Sequence, residues 1–160
     1  MKDLTFDGDF GKFNVRVAVL VEHNNKLLLQ TNGDAHWLIG GRMHFGEDSK
    51  PAVLREISEE LCYQPSNKDS LKLNFICENF FMWDSTPCHE TLFIYRLILS
   101  DDSELISRDG FKCADNDNFI EKWVDFDELK NIDLVPKFIP EYIRHREFKH
   151  CVIRHDKIVE

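Results

Sequence analysis

The chain has 160 residues, 42% of them hydrophobic and thirteen of them Phe, which is enough for a packed interior and argues against intrinsic disorder. Its formal net charge of −9 excludes a broad basic footprint, so a nucleic-acid partner is not expected. A bound divalent cation could still reverse the local field for a small polyanion. Five cysteines (Cys62, Cys77, Cys88, Cys113 and Cys151) lack a C-x-x-C pair, which argues against a zinc-thiolate site or a disulfide framework. No apolar run approaches the roughly 20 residues needed to cross a bilayer, and residues 1–4 lack the apolar core of a signal peptide, so a cytoplasmic location is expected.

Residues 14–22 alternate Val15, Val17, Val19 and Val21 with other side chains, the period-two mark of a strand. Residues 23–26 have turn chemistry, and 26–30 read as the returning strand of a hairpin. Trp37-Leu38-Ile39 then leads into a glycine-framed loop, Gly40 to Gly46. Asp48 or Ser49 can cap a helix over 50–63, with Pro51 tolerated in its first turn. Strands are predicted over 71–83 and 90–99, joined by a turn at 84–87. Residues 100–118 read as a loop, followed by a strand at 119–124. A short helix begins near Asp125, a second spans 140–147, and 151–153 form a last short strand. No repeat or linker divides the sequence, so one domain over 1–160 is expected. Strands mixed with few helices predict an α+β or α/β sandwich.

The helix over 50–63 carries the chemistry. Glu56, Glu59 and Glu60 are spaced i, i+3, i+4, so their carboxylates gather on one face. Leu54, Ile57 and Leu61 gather on another face, suited to a sheet. Like charges at that spacing oppose one another by about 0.2–0.5 kcal/mol per pair in an isolated helix. Hard oxygen donors suit Mg²⁺ or Mn²⁺, which would offset the repulsion, although a solvated acidic face relieved by Arg55 has the same local appearance.

The preceding loop narrows the choice. Gly41-Arg42-Met43-His44-Phe45-Gly46-Glu47, continuing through Arg55-Glu56-Ile57-Ser58-Glu59-Glu60-Leu61-Cys62-Tyr63, resembles the Nudix box, G-x5-E-x7-R-E-U-x-E-E-x-G-U with U a bulky apolar residue. Gly41, Glu47, Arg55, Glu56, Ile57, Glu59, Glu60 and Tyr63 fall where that pattern asks. Cys62 stands in place of the usual Gly, and Ile39 where Pro commonly precedes the paired glycines. The resemblance implies a Nudix-type α/β/α sandwich with a mixed β-sheet. It also implies hydrolysis of a nucleoside diphosphate linked to another group, with Mg²⁺ as cofactor and Mn²⁺ as substitute.

By the same resemblance Glu56, Glu59 and Glu60 ligate metal, Glu47 reaches back toward them, and Arg55 orients the carboxylates by charge-assisted hydrogen bonds. Glu59 is the first choice for general base, with Glu121 and Asp117 as candidates outside the box. Gly40 and Gly41 are expected to fold the loop tightly through backbone angles other residues resist. Arg42 and Arg16 are candidate phosphate contacts, and Gly41, Phe81 and Glu90 candidate substrate contacts, although most aromatics serve a core. His145, His150, Cys151 and His155 match no zinc spacing. Cys88 lacks the surroundings that isopentenyl diphosphate isomerase chemistry would need. A nucleotide sensor that does not cut is the other-class alternative, and a homodimer is compatible with the resemblance.

Overall fold

A computed structural model describes residues 2–112, 118–155 and 157–159. Strand β1 (Thr5–Gly8) forms a hairpin with the long β2 (Gly11–His23), and β2 turns back into β3 (Lys26–Thr31). Asn24 and Asn25, both at positive φ, make the second of these turns. After β4 (His36–Trp37) comes helix α1 (Ser49–Leu61), then the hairpin of β5 (Ser70–Trp83) and β6 (Thr86–Ile98). The remaining elements are β7 (Phe111–Lys112), β8 (Ile120–Asp125), β9 (Leu134–Val135), α2 (Ile139–Tyr142), β10 (Lys149–Arg154) and β11 (Lys157–Val159). Two 3-10 turns, Glu104–Ser107 and Phe126–Asn131, lie between them.

Among the described residues these strands join one mixed sheet in the order β11-β10-β5-β6-β2-β3-β4-β9, with β1 added to β2, β8 to β3, and β7 to β8. The pairs β2/β6, β5/β10 and β4/β9 are parallel. Alternation along β2 serves two cores. Val17, Val19 and Val21 pack with Ala52, Val53, Ile57 and Leu61 of α1. Ala18 and Leu20 face the other way, toward Phe126, Leu129, Phe138 and Ile139. The expected sandwich is therefore present, with α1 on one face and short helical turns on the other.

Several boundaries differ from the sequence reading. The strand expected from 90 begins at Thr86, because Asp84 and Ser85 both take positive φ and complete the reversal in two residues. Pro87 therefore sits inside the strand, opposite Met82. In α1 the buried apolar residue is Val53, not Leu54, which is only partly covered. The helix expected at 140–147 stops at Tyr142. Beyond it the carbonyls of His145 and Glu147 are taken by Arg96 and Asn74, and Arg146 reaches Glu22 at 2.5 Å. The stretch 100–112 holds a 3-10 turn and β7 where a loop was expected, and β1, β4, β9 and β11 were not anticipated.

Helix α1 ends where the box departs from its pattern. Cys62 is the C-terminal cap in the left-handed conformation, φ 47° and ψ 43°. A non-glycine residue there costs about 1–2 kcal/mol, part of which glycine's greater freedom when unfolded would offset. Just beyond, Asp69 accepts hydrogen bonds from the Tyr63 hydroxyl at 2.6 Å, the Ser66 amide at 2.7 Å, and both the amide and hydroxyl of Ser100. Burial alone would push the Asp69 carboxyl up, but these donors outweigh it and hold it at about 2.

Replacing Cys62 with Gly is expected to stabilise the fold by about 1 kcal/mol, read as a higher urea midpoint. Because Asp69 is depressed below its ordinary 3.8, its stabilisation is complete above that pH and is lost as pH falls toward 2. Asp69→Asn should flatten that acid limb of the urea-midpoint profile; an unchanged limb would show that the carboxylate does not contribute.

Candidate active site

The box loop is held as an extra strand beside β2. The Val17 amide donates to the Gly41 carbonyl at 2.9 Å, Val19 to Ile39 at 2.9 Å, and Met43 to Val15 at 3.0 Å. Ile39, where Pro was the common residue, is fully buried in the core it shares with α1 and bridges Val19. The two glycines serve different ends. Gly40 takes φ +145°, and a β-carbon there would lie 2.3 Å from the Val17 carbonyl oxygen. Gly41 needs no unusual φ, contrary to the expectation from its pairing with Gly40. Its constraint is space, since a β-carbon would come within 2.5 Å of the Glu56 carboxylate.

That approach exists because α1 packs its acidic side against the loop. Arg55 is the centre of the contact. Its Nε and Nη2 donate to the two oxygens of Glu47 at 2.9 and 3.0 Å. Its Nη1 donates to Glu56 at 2.7 Å and to Glu59 at 2.9 Å, and Nη2 also reaches the Arg42 carbonyl at 3.0 Å. Glu47 in turn accepts the His44 amide at 2.9 Å, and Glu60 accepts the Gly40 amide at 3.0 Å.

Depth separates the carboxylates. The side chain of Glu56 is 9% exposed and that of Glu59 44%. Burial pushes the Glu56 carboxyl up, with Arg55 opposing, whereas the Arg55 hydrogen bond draws Glu47 down. Arg55 itself is held above its already high value, chiefly by Glu47.

A cleft of about 360 Å³ opens here, walled by Glu56, Glu59, Glu60, Gly40 and Gly41, with Arg16, Arg42 and Arg55 around it. Arg42 pairs with Asp3 at 3.2 Å. Arg16 lies 4.0 Å from Glu90, and its buried Nε has no hydrogen-bond partner among the described residues. Asp3 and His44 complete the wall. Sequence reasoning missed both, since their meeting depends on a single bridge between the N-terminal segment and the box loop, which no local pattern announces.

Other candidates lie apart from this cleft. Glu90 sits within β6, not at its start, and is buried behind Arg16 at 5% exposure. Phe81 faces a separate apolar cavity of about 500 Å³ with Phe6, Phe13, Pro87 and Cys88, because it pairs with Cys88 near the far end of the hairpin. Glu121, on β8 opposite Gln30, is completely buried and does not line the cleft. Asp117 lies outside the described residues.

The donor set suits a hard divalent cation. Three carboxylates border one cleft, the deepest is desolvated, and the missing β-carbon of Gly41 leaves room beside its oxygens. Among the described residues, however, no three acidic, His or Cys side chains converge on one point. Glu56 and Glu59 turn to Arg55, and Glu60 turns to the Gly40 amide.

The model of the NUDIX domain matches residues 12–145 of this sequence. The chain belongs to the Nudix family. It is thereby a hydrolase of phosphoanhydrides, in a family whose hydrolases generally use divalent metal ions. No curated protein matches it. Among solved structures, the Nudix fold here is similar to a MutT protein from Bacillus halodurans, with TM-score 0.67 and 15% identity over 92% of this chain and 95% of that one. It is similar also to a MutT protein from Methanosarcina mazei, with TM-score 0.54 and 16% identity over 81% and 89%. A Nudix hydrolase from Nitrosomonas europaea gives TM-score 0.52 and 18% identity over 88% and 78%. No helix among the described residues is long and apolar enough to cross a membrane.

Gly41→Ala in this Nudix protein is expected to displace Glu56 and to lower divalent-cation affinity and hydrolysis about tenfold or more, roughly 1.4 kcal/mol. Manganese titration alongside circular dichroism checks this, and unaltered affinity in a folded variant would show that the space beside Glu56 is not needed.

Proposed function

We propose that the protein hydrolyses a nucleoside diphosphate linked to a second group at the phosphoanhydride bond, with Mg²⁺ held by Glu56, Glu59 and Glu60. The observation that carries this reading is the single guanidinium of Arg55 bonded to Glu47, Glu56 and Glu59, beside a cleft that Glu56, Glu59, Glu60, Arg16 and Arg42 line. When bound, the metal would supply charge neutralisation of the pyrophosphate and activation of water, with Mn²⁺ as a substitute.

The chain's own residues then do the rest. Arg16, whose side chain is 42% exposed where it lines the cleft, and Arg42, paired with a half-exposed Asp3, are placed to bind phosphoryl oxygens. Glu90 positions Arg16 from behind and is itself too enclosed to meet substrate. Arg55 holds the Glu56 and Glu59 carboxylates beside the cleft by charge-assisted hydrogen bonds. Glu59, the more exposed of those two, accepts the proton of the attacking water at its carboxylate. Glu121 is less suited to that task, being fully buried on β8, which runs between β3 and β7. The substrate is a small nucleotide.

A panel of nucleotide substrates with Mg²⁺, its products identified by mass, tests the assignment. Release of a nucleoside monophosphate or phosphate supports it, and tight binding without cleavage returns the protein to a sensing role. Glu59→Gln should lower kcat by about two orders of magnitude or more while leaving the fold intact. Near-normal turnover would remove Glu59 from the mechanism.

A further inference from the structure

Cys77 on β5 and Cys151 on β10 are register partners on adjacent parallel strands. Both are buried, and their sulfurs lie 3.0 Å apart. Neither belongs to the cleft described above. Buried cysteines ordinarily serve as small apolar side chains resting in contact. Here the sulfurs are closer than the roughly 3.5–4.0 Å at which even two carbon atoms rest. Neighbouring strands lie about 4.7–4.9 Å apart, inside the about 4.4–6.8 Å range of Cα separations that disulfides span. Closing the sulfurs to a bond of about 2.05 Å therefore requires roughly 1 Å of side-chain movement and no rearranged backbone. The other described cysteines have no such neighbour: Cys62 is exposed at the end of α1, and the Cys88 thiol donates to the Thr86 carbonyl.

We propose that Cys77 and Cys151 form a redox modification site, joined by a peroxide-class oxidant into a disulfide that fastens β10 to β5. One thiolate takes an oxygen from the peroxide, breaking the O–O bond and releasing hydroxide. The second thiolate attacks the resulting sulfenic sulfur, forming the S–S bond and expelling that oxygen as hydroxide. Two electrons pass from the two sulfurs to the peroxide, and the two thiol protons leave in two molecules of water. Access comes from the sheet edge: among the described residues only the three-residue β11 lies beyond β10, and it pairs with Val152, Ile153 and Arg154, so local opening of β10 itself exposes Cys151. The bond would enclose the segment carrying β6, β8, the Phe126–Asn131 turn and α2, much of the second core. Restricting so long a segment in the unfolded chain raises stability.

The full-length protein is treated with hydrogen peroxide, its remaining thiols are alkylated, and the digest is mapped by mass. Loss of two of the five thiols with a linked Cys77–Cys151 peptide, and a urea midpoint that rises and then returns on adding a dithiol reductant, is the expected result. Cys151→Ala and Cys77→Ala should show neither change. The proposal is overturned if the wild-type map shows both residues alkylated while Cys62 is oxidised, or if the linked peptide joins other cysteines. It is equally overturned if the midpoint shift persists in a variant. The wild-type map decides the matter even where a variant fails to fold.

Discussion

One guanidinium organises the site. Arg55 spreads its donors over Glu47, Glu56, Glu59 and a backbone carbonyl of the box loop, and no other side chain has a planar fork able to do this. The carboxylates alone would repel one another along α1, and Glu56 is buried deeply enough that its charge is disfavoured. Arg55 offsets both effects, and because it is itself mostly covered, its bonds are screened less than surface pairs are. The same contact ties the helix to the loop before it, so the geometry of the acids and that of the glycine bend are one constraint.

The sheet supplies the rigid support for that constraint. β2 is the central element: β6 runs parallel along one side, and β1, the box loop and β3 divide the other. Residues of alternate parity on β2 enter separate cores, which leaves this strand little freedom to slip by one position. Gly40 and Gly41 lie where the loop peels along β2, one for its backbone angle and one for the room it leaves Glu56. Arg16 projects from β2 toward the cleft, so the strand that anchors the cores also carries a cation of the cleft lining.

On the other face a buried polar group binds the C-terminal segment. Glu22 is shared by Arg96 and Arg146, and Arg96 and Asn74 hold the carbonyls that follow α2. Buried ion pairs of this kind are weak sources of net stability but strongly disfavour any arrangement that leaves one partner alone. They fix where β10 begins and so set Cys151 beside Cys77.

The hairpin of β2 and β3, the helix α1, and the strands β5, β6 and β8 were legible from alternation, turn residues and the spacing of Glu56, Glu59 and Glu60. These features are local, and periodicity records them directly. The box likewise announced Arg55 as a partner of the acids. Other features were invisible because they arise between distant segments. The presence of Asp3 and His44 at the cleft, the removal of Phe81 to another cavity, the burial of Glu90 behind Arg16, and the early end of α2 all depend on strand register and on competition for backbone carbonyls. The spacing of the acids determined which face of the helix carries charge; only tertiary packing decided that their oxygens turn to Arg55 and to the Gly40 amide, since that choice rests on a loop brought alongside by hydrogen bonds to β2.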